Sequence, residues 1–336
     1  MHDEPRSLDG RVSEVTTGVH DAETLAPLRL LLDRAAAGRR DDGHRVVLAI
    51  EGGGNRGAIS GAMAGVLHDA GVVPFLDAVY GSSAGSLTGA WLLSADPHRG
   101  LRAWADPSSY AAYTRLSNIV RRRPVVDLEG LIEEFYDRSL GLDAAAVLAS
   151  PVEFHPLATD VDTGESADLH PLVRDKAMLH AAMRASATLP ILAGKPVTLH
   201  GHRYLDAGLS EAVPFDTPIA DGATHIVVLR SRRLGLTSSD GITRGLTAAW
   251  LGRYSDAARQ AFLTRHQRAA ELDRRLARRA DAEAGPSVLV VQPDIGTPRV
   301  SRLESDPTVI GAAMAAGRQA MRTVLDAVQA PIAEAD

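Results

Sequence analysis

Three short segments of the chain carry residue types that together suit acyl-transfer chemistry. The first is Gly81-Ser82-Ser83-Ala84-Gly85, which fits the Gly-x-Ser-x-Gly pattern of a nucleophile elbow. The second, Glu51-Gly52-Gly53-Gly54-Asn55-Arg56-Gly57, is a loop whose glycines can direct several backbone N–H groups toward one anion. The third is Asp206-Ala207-Gly208, a carboxylate followed by two small residues. Together the segments offer a nucleophile, anion-stabilising donors and a base.

The pentapeptide predicts Ser83 as the nucleophile. In such an elbow a strained strand-to-helix turn lifts the central side chain clear of the sheet, so the flanking positions must be small, as Gly81 and Gly85 are. A serine hydroxyl is a poor nucleophile without a positioned base, and its attack on an ester creates an oxyanion that needs hydrogen-bond donors. The two other segments are candidates for these two roles.

The glycine-rich loop admits two interpretations. As an oxyanion hole it would use the backbone N–H groups of Gly52, Gly53 and Gly54, with help from Asn55. As a phosphate-binding loop it fits G-x-G-x-x-G, the fingerprint of dinucleotide binding, with Gly57 in the last position. That fingerprint needs an acidic residue at the end of the next strand, whereas here the acidic residue precedes that strand, so the oxyanion hole is favoured.

Asp206 is the predicted base. The usual α/β-hydrolase order places an aspartate and then a histidine after the serine, but no later histidine stands alone in a loop after a final core strand. Only one strand candidate precedes Ser83, whereas that fold has several. A Ser–Asp dyad is therefore preferred, because burial beside the serine would raise the basicity of the carboxylate. Taken alone, Asp206 could equally initiate a turn.

The surrounding pattern predicts elements that would hold these segments in place. Residues 45–50 read as a buried strand leading into the glycine loop and a helix over 58–70, and a second strand leads into the elbow and its helix. In a parallel α/β sheet, both loops would then lie at the same ends of neighbouring strands. Further strands are predicted at 152–159, 200–205, 225–230 and 287–292, and further helices at 23–37, 128–140, 176–186, 255–284 and 307–330.

Composition limits the class of protein. The chain of 336 residues has a net charge of -6, which argues against a general nucleic-acid binder. It contains no cysteine, and it has no apolar run long enough to span a membrane, so we expect a soluble cytoplasmic protein with no thiolate metal site. Residues 1–44 are expected to form a polar N-terminal extension with one helix, and residues 45–330 a single domain.

Three features each leave two interpretations open. Residues 97–124 could form a lid or lipid-facing surface, or an irregular connection with a solvated arginine run, which is favoured. The arginine-rich helix over 255–284 could lie on a membrane surface, although packing on the core is favoured. Arg56 could contact a phosphate or the substrate, or lock the glycine loop through several acceptors, which is favoured.

Jointly, the motifs resemble the patatin-like phospholipases, particularly the bacterial members. Segments 51–57 and 81–85 resemble the family's glycine-rich oxyanion block and its nucleophile block. Residues 158–160 with 163–165, and residues 185–190, resemble intermediate family segments. Asp206-Ala207-Gly208 falls where the family carries its catalytic aspartate. The similarity in order and spacing covers roughly residues 45–230.

This resemblance implies a three-layer α/β/α sandwich with a central, mostly parallel sheet. It also implies a Ser83–Asp206 dyad without histidine that hydrolyses carboxylic esters of lipids. We expect no metal or cofactor and a lipid or acyl-ester substrate, and transient contact with a membrane surface is left open. The family aspartate is usually followed by glycine, whereas Ala207 stands here and disfavours positive φ, which would displace Asp206 if the turn needs it. Two alternatives stay open: an acyltransferase, and a non-catalytic lipid-binding or regulatory protein on the same scaffold.

Overall fold

One mixed sheet organises the chain. The structure is a computed structural model that describes residues 23–106, 113–115, 118, 121, 124–233, 243–278 and 285–330. Within these residues eight strands form the sheet: β1 (Val46–Ile50), β2 (Ala78–Ser82), β3 (Glu153–Asp160), β4 (Ser166–Asp168), β5 (Val197–Leu199), β6 (His202–Asp206), β7 (His225–Leu229) and β8 (Ser287–Val291).

The order of the strands places both chemical loops at the centre of the sheet. The order is β5-β6-β3-β2-β1-β7-β8, with β4 paired to β3. The five strands from β3 to β8 along this order run parallel, and β4, β5 and β6 pair antiparallel. The glycine loop follows β1 and the elbow follows its neighbour β2, so parallel pairing brings their carboxyl ends together, as predicted.

Helices cover both faces of the sheet. They are α1 (Ala26–Ala37), α2 (Gly57–Asp69), α3 (Ala84–Leu92), α4 (Pro97–Ala103), α5 (Gly130–Ser139, π-helical), α6 (Ala144–Ala149), α7 (Lys176–Ala187), α8 (Asp216–Ala220), α9 (Arg244–Leu251), α10 (Asp256–Arg278) and α11 (Pro307–Gln329). Side chains of β1 alternate between the two cores, because successive residues of a strand point to opposite faces. Val46, Leu48 and Ile50 join the core under α1, α2, α3 and α11, whereas Val47 and Ala49 join the core under α8 and α10.

The result is a three-layer α/β/α sandwich with a central, mostly parallel sheet, which confirms the predicted fold class. The six strands predicted from the sequence are all present, and two strands of three residues each, β4 and β5, were not predicted. The segment predicted as a helix over 128–140 is π-helical over Gly130–Ser139, a difference that side-chain periodicity does not indicate. The predicted continuation of α10 beyond residue 278 lies outside the described residues.

Helix α1 packs on the sheet. It lies against β7 and β8, and Leu25, Leu28 and Leu31 are buried in the same core as α2 and α3. Its buried Arg34 donates to Asp42 and Asp77, at 2.7 and 2.8 Å, which joins the segment before β1 to the segment before β2. Among the helices in the described part of the chain, none is both long enough and apolar enough to cross a membrane.

Candidate active site

The elbow holds Ser83 in a strained backbone conformation. Strand β2 ends at Ser82 and helix α3 begins at Ala84, and Ser83 between them has φ 54° and ψ -123°. It is one of three described non-glycine residues with positive φ, a conformation that persists only where the surroundings enforce it. One such constraint is the hydrogen bond from the Ser83 N–H to Ser186 Oγ, 3.0 Å long.

Close packing at Gly85 brings the elbow against the end of β1. A Cβ atom at this position would lie 2.1 Å from the carbonyl oxygen of Ile50, the last residue of the strand that leads into the glycine loop. Only glycine allows this approach without displacing backbone. Because Gly85 has no side chain, the N-terminus of α3 can lie next to the start of the glycine loop.

Ser83 and Asp206 are in direct contact. Ser83 Oγ donates a hydrogen bond of 2.6 Å to Asp206 Oδ2, and both residues are buried, with 6% and 3% of their surface exposed. The backbone N–H of Gly208 donates to the other carboxylate oxygen, at 2.8 Å. With both oxygens engaged, the carboxylate has a fixed orientation toward the serine.

Two neighbouring elements fix Asp206 at this place. Strand β6 pairs antiparallel with β3, with Ala158 opposite Asp206, and Thr159 Oγ1 donates to the Asp206 carbonyl at 2.9 Å. The Asp206 N–H donates to the carbonyl of Thr188, directly after α7, at 2.9 Å. The end of α7 thus holds both groups, since Ser186 binds the backbone of Ser83 and Thr188 binds that of Asp206.

The environment makes Asp206 a stronger base than an exposed aspartate. Burial raises the pKa of Asp206, and this effect outweighs the opposing hydrogen bond from Ser83, the charge of Arg302 and the Gly208 N–H. A carboxylate that is harder to ionise holds a proton more readily. Within the described residues no histidine is hydrogen-bonded to Ser83 or Asp206, and His202 instead pairs with Asp160.

Ala207 does not displace the aspartate. It is fully buried and begins a short 3₁₀ turn over Ala207–Leu209, and it is not among the described residues with positive φ. The turn after β6 therefore does not need glycine at this position. At Gly208, by contrast, a Cβ would lie 2.7 Å from Asp206 Oδ1, so a side chain there would press on the carboxylate.

The glycine loop presents two uncommitted donors. Gly53 and Gly54 have φ of 149° and 58°, and neither N–H group has an acceptor among the described residues. The neighbouring donors are engaged: the Gly52 N–H binds the carbonyl of Ala212 at 3.2 Å, and the Asn55 N–H binds that of Arg302 at 3.0 Å. The Asn55 side chain also donates to the carbonyl of Glu304, at 2.6 Å, so Asn55 anchors the loop.

Arg56 and Ser231 fix the other side of this loop. Arg56 Nε donates to Ser231 Oγ at 3.1 Å, and that hydroxyl donates to the carbonyl of Gly52 at 2.6 Å. Ser231, which lies just beyond β7, thus links Arg56 near the end of the loop to Gly52 near its start. The loop-locking role favoured from the sequence stays a prediction, and the contact described here uses one hydroxyl acceptor rather than several.

A mostly apolar pocket opens beside Ser83. Its described lining includes Trp104 and Tyr113 from the region predicted as a lid or connection, together with residues of α3, α5 and the segment before α11. Tyr110, Arg122 and Arg123 of that region lie outside the described residues. The apolar side chains of the lining are Ala84, Leu87, Ala103, Trp104, Val126, Leu128, Leu131, Phe135, Ala187, Leu189, Ala193 and Leu303.

Sequence reasoning did not single out several residues that shape the site. Ser186 and Thr188 fall in a segment that resembled the family, but no individual role was predicted for them. Ser231 and Arg302 carried no local motif, because their contacts with the loop cross about 180 and 250 residues of chain. Only the fold brings these residues to the glycine loop.

Comparison with known proteins assigns the chain to a family. The profile of the patatin-like phospholipases matches residues 48–219, about half of the chain, which include the glycine loop, the elbow and Asp206. The chain belongs to the patatin-like phospholipase family, which confirms the resemblance and supports a lipid acyl hydrolase in general terms.

One curated relative is described as uncharacterized. The chain is 29% identical over 191 residues to the uncharacterized protein YjjU of Escherichia coli strain K12. The match covers 56% of this chain and 52% of that protein, so the chain spans about half the length of the curated relative it matches.

Proposed function

We propose that this protein is a serine hydrolase that cleaves carboxylic esters of lipids through a Ser83–Asp206 dyad. The observation that carries the proposal is the 2.6 Å hydrogen bond between these two buried side chains, at the edge of an apolar pocket. A nucleophile, a base within hydrogen-bond reach and a place for an acyl chain are the parts that such a reaction needs. The family assignment supports the same reaction class.

In the proposed reaction, Ser83 Oγ attacks the ester carbonyl carbon while its proton passes to Asp206 Oδ2. The N–H groups of Gly53 and Gly54 stabilise the oxyanion, and the positive N-terminus of α3 contributes. Collapse of the tetrahedral intermediate breaks the bond to the alcohol, which leaves with the proton from Asp206. Water then attacks the acyl-enzyme, giving its proton to Asp206, and the fatty acid departs as Ser83 regains its proton.

The apolar pocket supports a lipid ester, rather than a small polar ester, as the proposed substrate. Leu87, Leu131 and Phe135 lie on its lining, and an acyl chain placed against them would be removed from water. From the sequence alone, we also propose that residues 1–44 form an N-terminal extension, that residues 45–330 form one domain, and that the protein is cytoplasmic.

A fluorophosphonate probe tests the dyad directly, because it reacts only with an activated serine. Purified wild type, Ser83→Ala and Asp206→Asn are compared by intact mass and peptide mapping, with Ser139→Ala, an exposed serine on α5, as the matched control. We expect labelling at Ser83 that is abolished in Ser83→Ala, unchanged in the control and slowed roughly 100-fold or more in Asp206→Asn.

Two outcomes would oppose the proposal. If folded wild type is not labelled, Ser83 is not activated, and the non-catalytic lipid-binding alternative becomes the better hypothesis. If Asp206→Asn is labelled as fast as wild type, the serine is active but Asp206 is not its base. An acyltransferase would be labelled like a hydrolase, and product analysis with an added alcohol acceptor separates the two.

A further inference from the structure

Arg302 reaches the pocket from outside the segment that matches the family. It lies between β8 and α11, beyond residue 219, and it lines the pocket together with Ser83 and Gly54. Its carbonyl accepts the Asn55 N–H at 3.0 Å, and a Cβ at Gly54 would lie 2.4 Å from that carbonyl. The backbone of Arg302 is therefore pressed against the glycine loop, and its position relative to the proposed oxyanion hole is fixed.

The guanidinium of Arg302 has no partner among the described residues. It forms no hydrogen bond or ion pair there, unlike three arginines close by. Arg56 binds Ser231, and Arg230 and Arg232 both pair with the buried carboxylate of Glu51. Asp206 is near enough to act on Arg302 electrostatically, but its two oxygens are taken by Ser83 and Gly208.

The surroundings of Arg302 favour an anionic ligand. Arg302 is an exposed residue, and desolvation and nearby Arg232 lower its pKa against the opposing charges of Asp206 and Glu51. Arg265 also lies close enough for its pKa to be lowered by Arg302 and Arg232. An arginine stays protonated under such conditions, so Arg302 presents to the pocket a positive charge that no ion pair among the described residues neutralises.

We infer that Arg302 binds an anionic group, a phosphate or a carboxylate, on the alcohol portion of the substrate ester, so that the protein prefers anionic esters over zwitterionic or neutral ones. The guanidinium fork matches the oxygens of such groups and binds them through charge-assisted hydrogen bonds. The anion belongs to the alcohol portion because the apolar lining accommodates the acyl chain and would oppose a charge there. This inference rests on the proposed function.

The test compares three esters that share the octanoyl chain and the glycerol and differ in head group, which is anionic, zwitterionic or neutral. They are octanoyl lysophosphatidic acid, octanoyl lysophosphatidylcholine and monooctanoylglycerol, each used below its micelle concentration so that surface binding does not contribute. We expect wild type to have its highest kcat/KM on the phosphate monoester. In Arg302→Gln the ratio of kcat/KM on this ester to that on monooctanoylglycerol should fall roughly 10- to 100-fold, mainly through KM.

The ratio separates binding of the anion from any effect on the dyad. Loss of Arg302 also removes a positive charge near Asp206, but this change affects all three esters alike, because their acyl chemistry is the same. Arg302→Lys should recover part of the preference. Arg322→Gln, which removes an exposed charge on α11 outside the pocket lining, is the matched control and should keep the wild-type ratio.

The possible outcomes distinguish failure of this inference from failure of the proposed function. If wild type reacts with the fluorophosphonate probe but Arg302→Gln keeps the wild-type ratio, the inference is wrong and the hydrolase stands. If inorganic phosphate inhibits hydrolysis of monooctanoylglycerol only in the presence of Arg302, and the three esters react equally, Arg302 holds a free anion and the assignment to substrate is wrong.

A binding measurement keeps the test independent of turnover. Calorimetric titration of octanoyl lysophosphatidic acid into Ser83→Ala and into Ser83→Ala/Arg302→Gln should give a Kd that rises roughly 10-fold or more with the second change. An equal Kd in the two proteins would overturn the inference even if the protein has no hydrolase activity.

Discussion

The buried carboxylate of Glu51 should contribute strongly to the stability of the folded protein. It begins the glycine loop, and only 1% of the residue is exposed. Its Oε2 accepts from the Ser231 N–H at 2.7 Å, the Arg232 N–H at 3.2 Å and Arg230 Nε at 3.1 Å, while Oε1 lies 3.2 Å from Arg232 Nε. These contacts tie the loop after β1 to the residues after β7.

The size of this contribution to stability follows from the pKa of Glu51. Burial alone would raise the pKa of Glu51, but Arg230, Arg232 and Arg56, with the Ser231 N–H, outweigh it and lower the pKa from 4.5 to about 2. Because the folded pKa is depressed, the ionised carboxylate stabilises the protein above pH 4.5, and this contribution is lost as the pH falls toward 2. The shift corresponds to about 3 kcal/mol.

Glu51→Gln removes the charge with little change in shape. It leaves Arg232 without its carboxylate and turns a donor toward other donors, so we expect the free energy of unfolding at pH 7 to fall by about 3 to 5 kcal/mol. Urea unfolding measures this change, and Glu165→Gln, an exposed glutamate in the turn after β3, serves as the matched control with a change of less than about 0.5 kcal/mol.

The pH dependence gives the same prediction a second test. The difference in unfolding free energy between wild type and Glu51→Gln should shrink steadily as the pH falls below 4.5, since the wild-type carboxylate then loses its contribution. A difference below about 1 kcal/mol at pH 7, or one that stays constant between neutral and acidic pH, would refute the reasoning, because the arginine pairs would then only offset the cost of burial.

Two further predictions concern the base and the packing of the last helix. Because burial raises the pKa of Asp206 above 3.8 and the proposed base must be ionised, kcat/KM on monooctanoylglycerol should fall with decreasing pH with a midpoint above 3.8; a lower midpoint in the pH–rate profile would argue against Asp206 as the base. In α11, Gly317→Ala places a Cβ 2.6 Å from the Ile59 carbonyl of α2, whereas Gly311→Ala meets no atom within 4 Å. Urea unfolding should show a loss of about 1 to 3 kcal/mol for Gly317→Ala and a gain of about 0.5 to 1 kcal/mol for Gly311→Ala; changes of the same sign would contradict the packing described here.

The features that the sequence predicts well are local ones. An elbow depends on small residues within five positions of chain, and a parallel strand–loop–helix unit depends on an apolar run followed by glycines. The predicted strands around Ser83 and the glycine loop are therefore present. The α/β/α layering follows because strands buried on both faces need helices on both faces.

Local patterns do not show how distant segments are brought together. The Ser83–Asp206 pair is predicted from the absence of a suitable histidine and from the family resemblance, but the antiparallel pairing of β6 with β3 and the end of α7, which position Asp206, have no local pattern. Strands β4 and β5 have three residues each, too few for an alternating pattern to be read. The pairing of Glu51 with Arg230 and Arg232 is visible only in the folded chain, because the partners lie about 180 residues apart in the sequence.

The proposed dyad and the glycine loop are held in place by different parts of the chain. The proposed dyad is held by β2, β3, β6 and α7, all within the segment that matches the family. The glycine loop is held both by Ala212, within that segment, and by Ser231 and Arg302, beyond residue 219. Under the proposed function, a change to the Arg302 side chain leaves its carbonyl, and with it the glycine loop, in place, and alters only the charge presented to the alcohol portion of the substrate. The charge of Arg302, rather than the dyad, is therefore the feature to vary first.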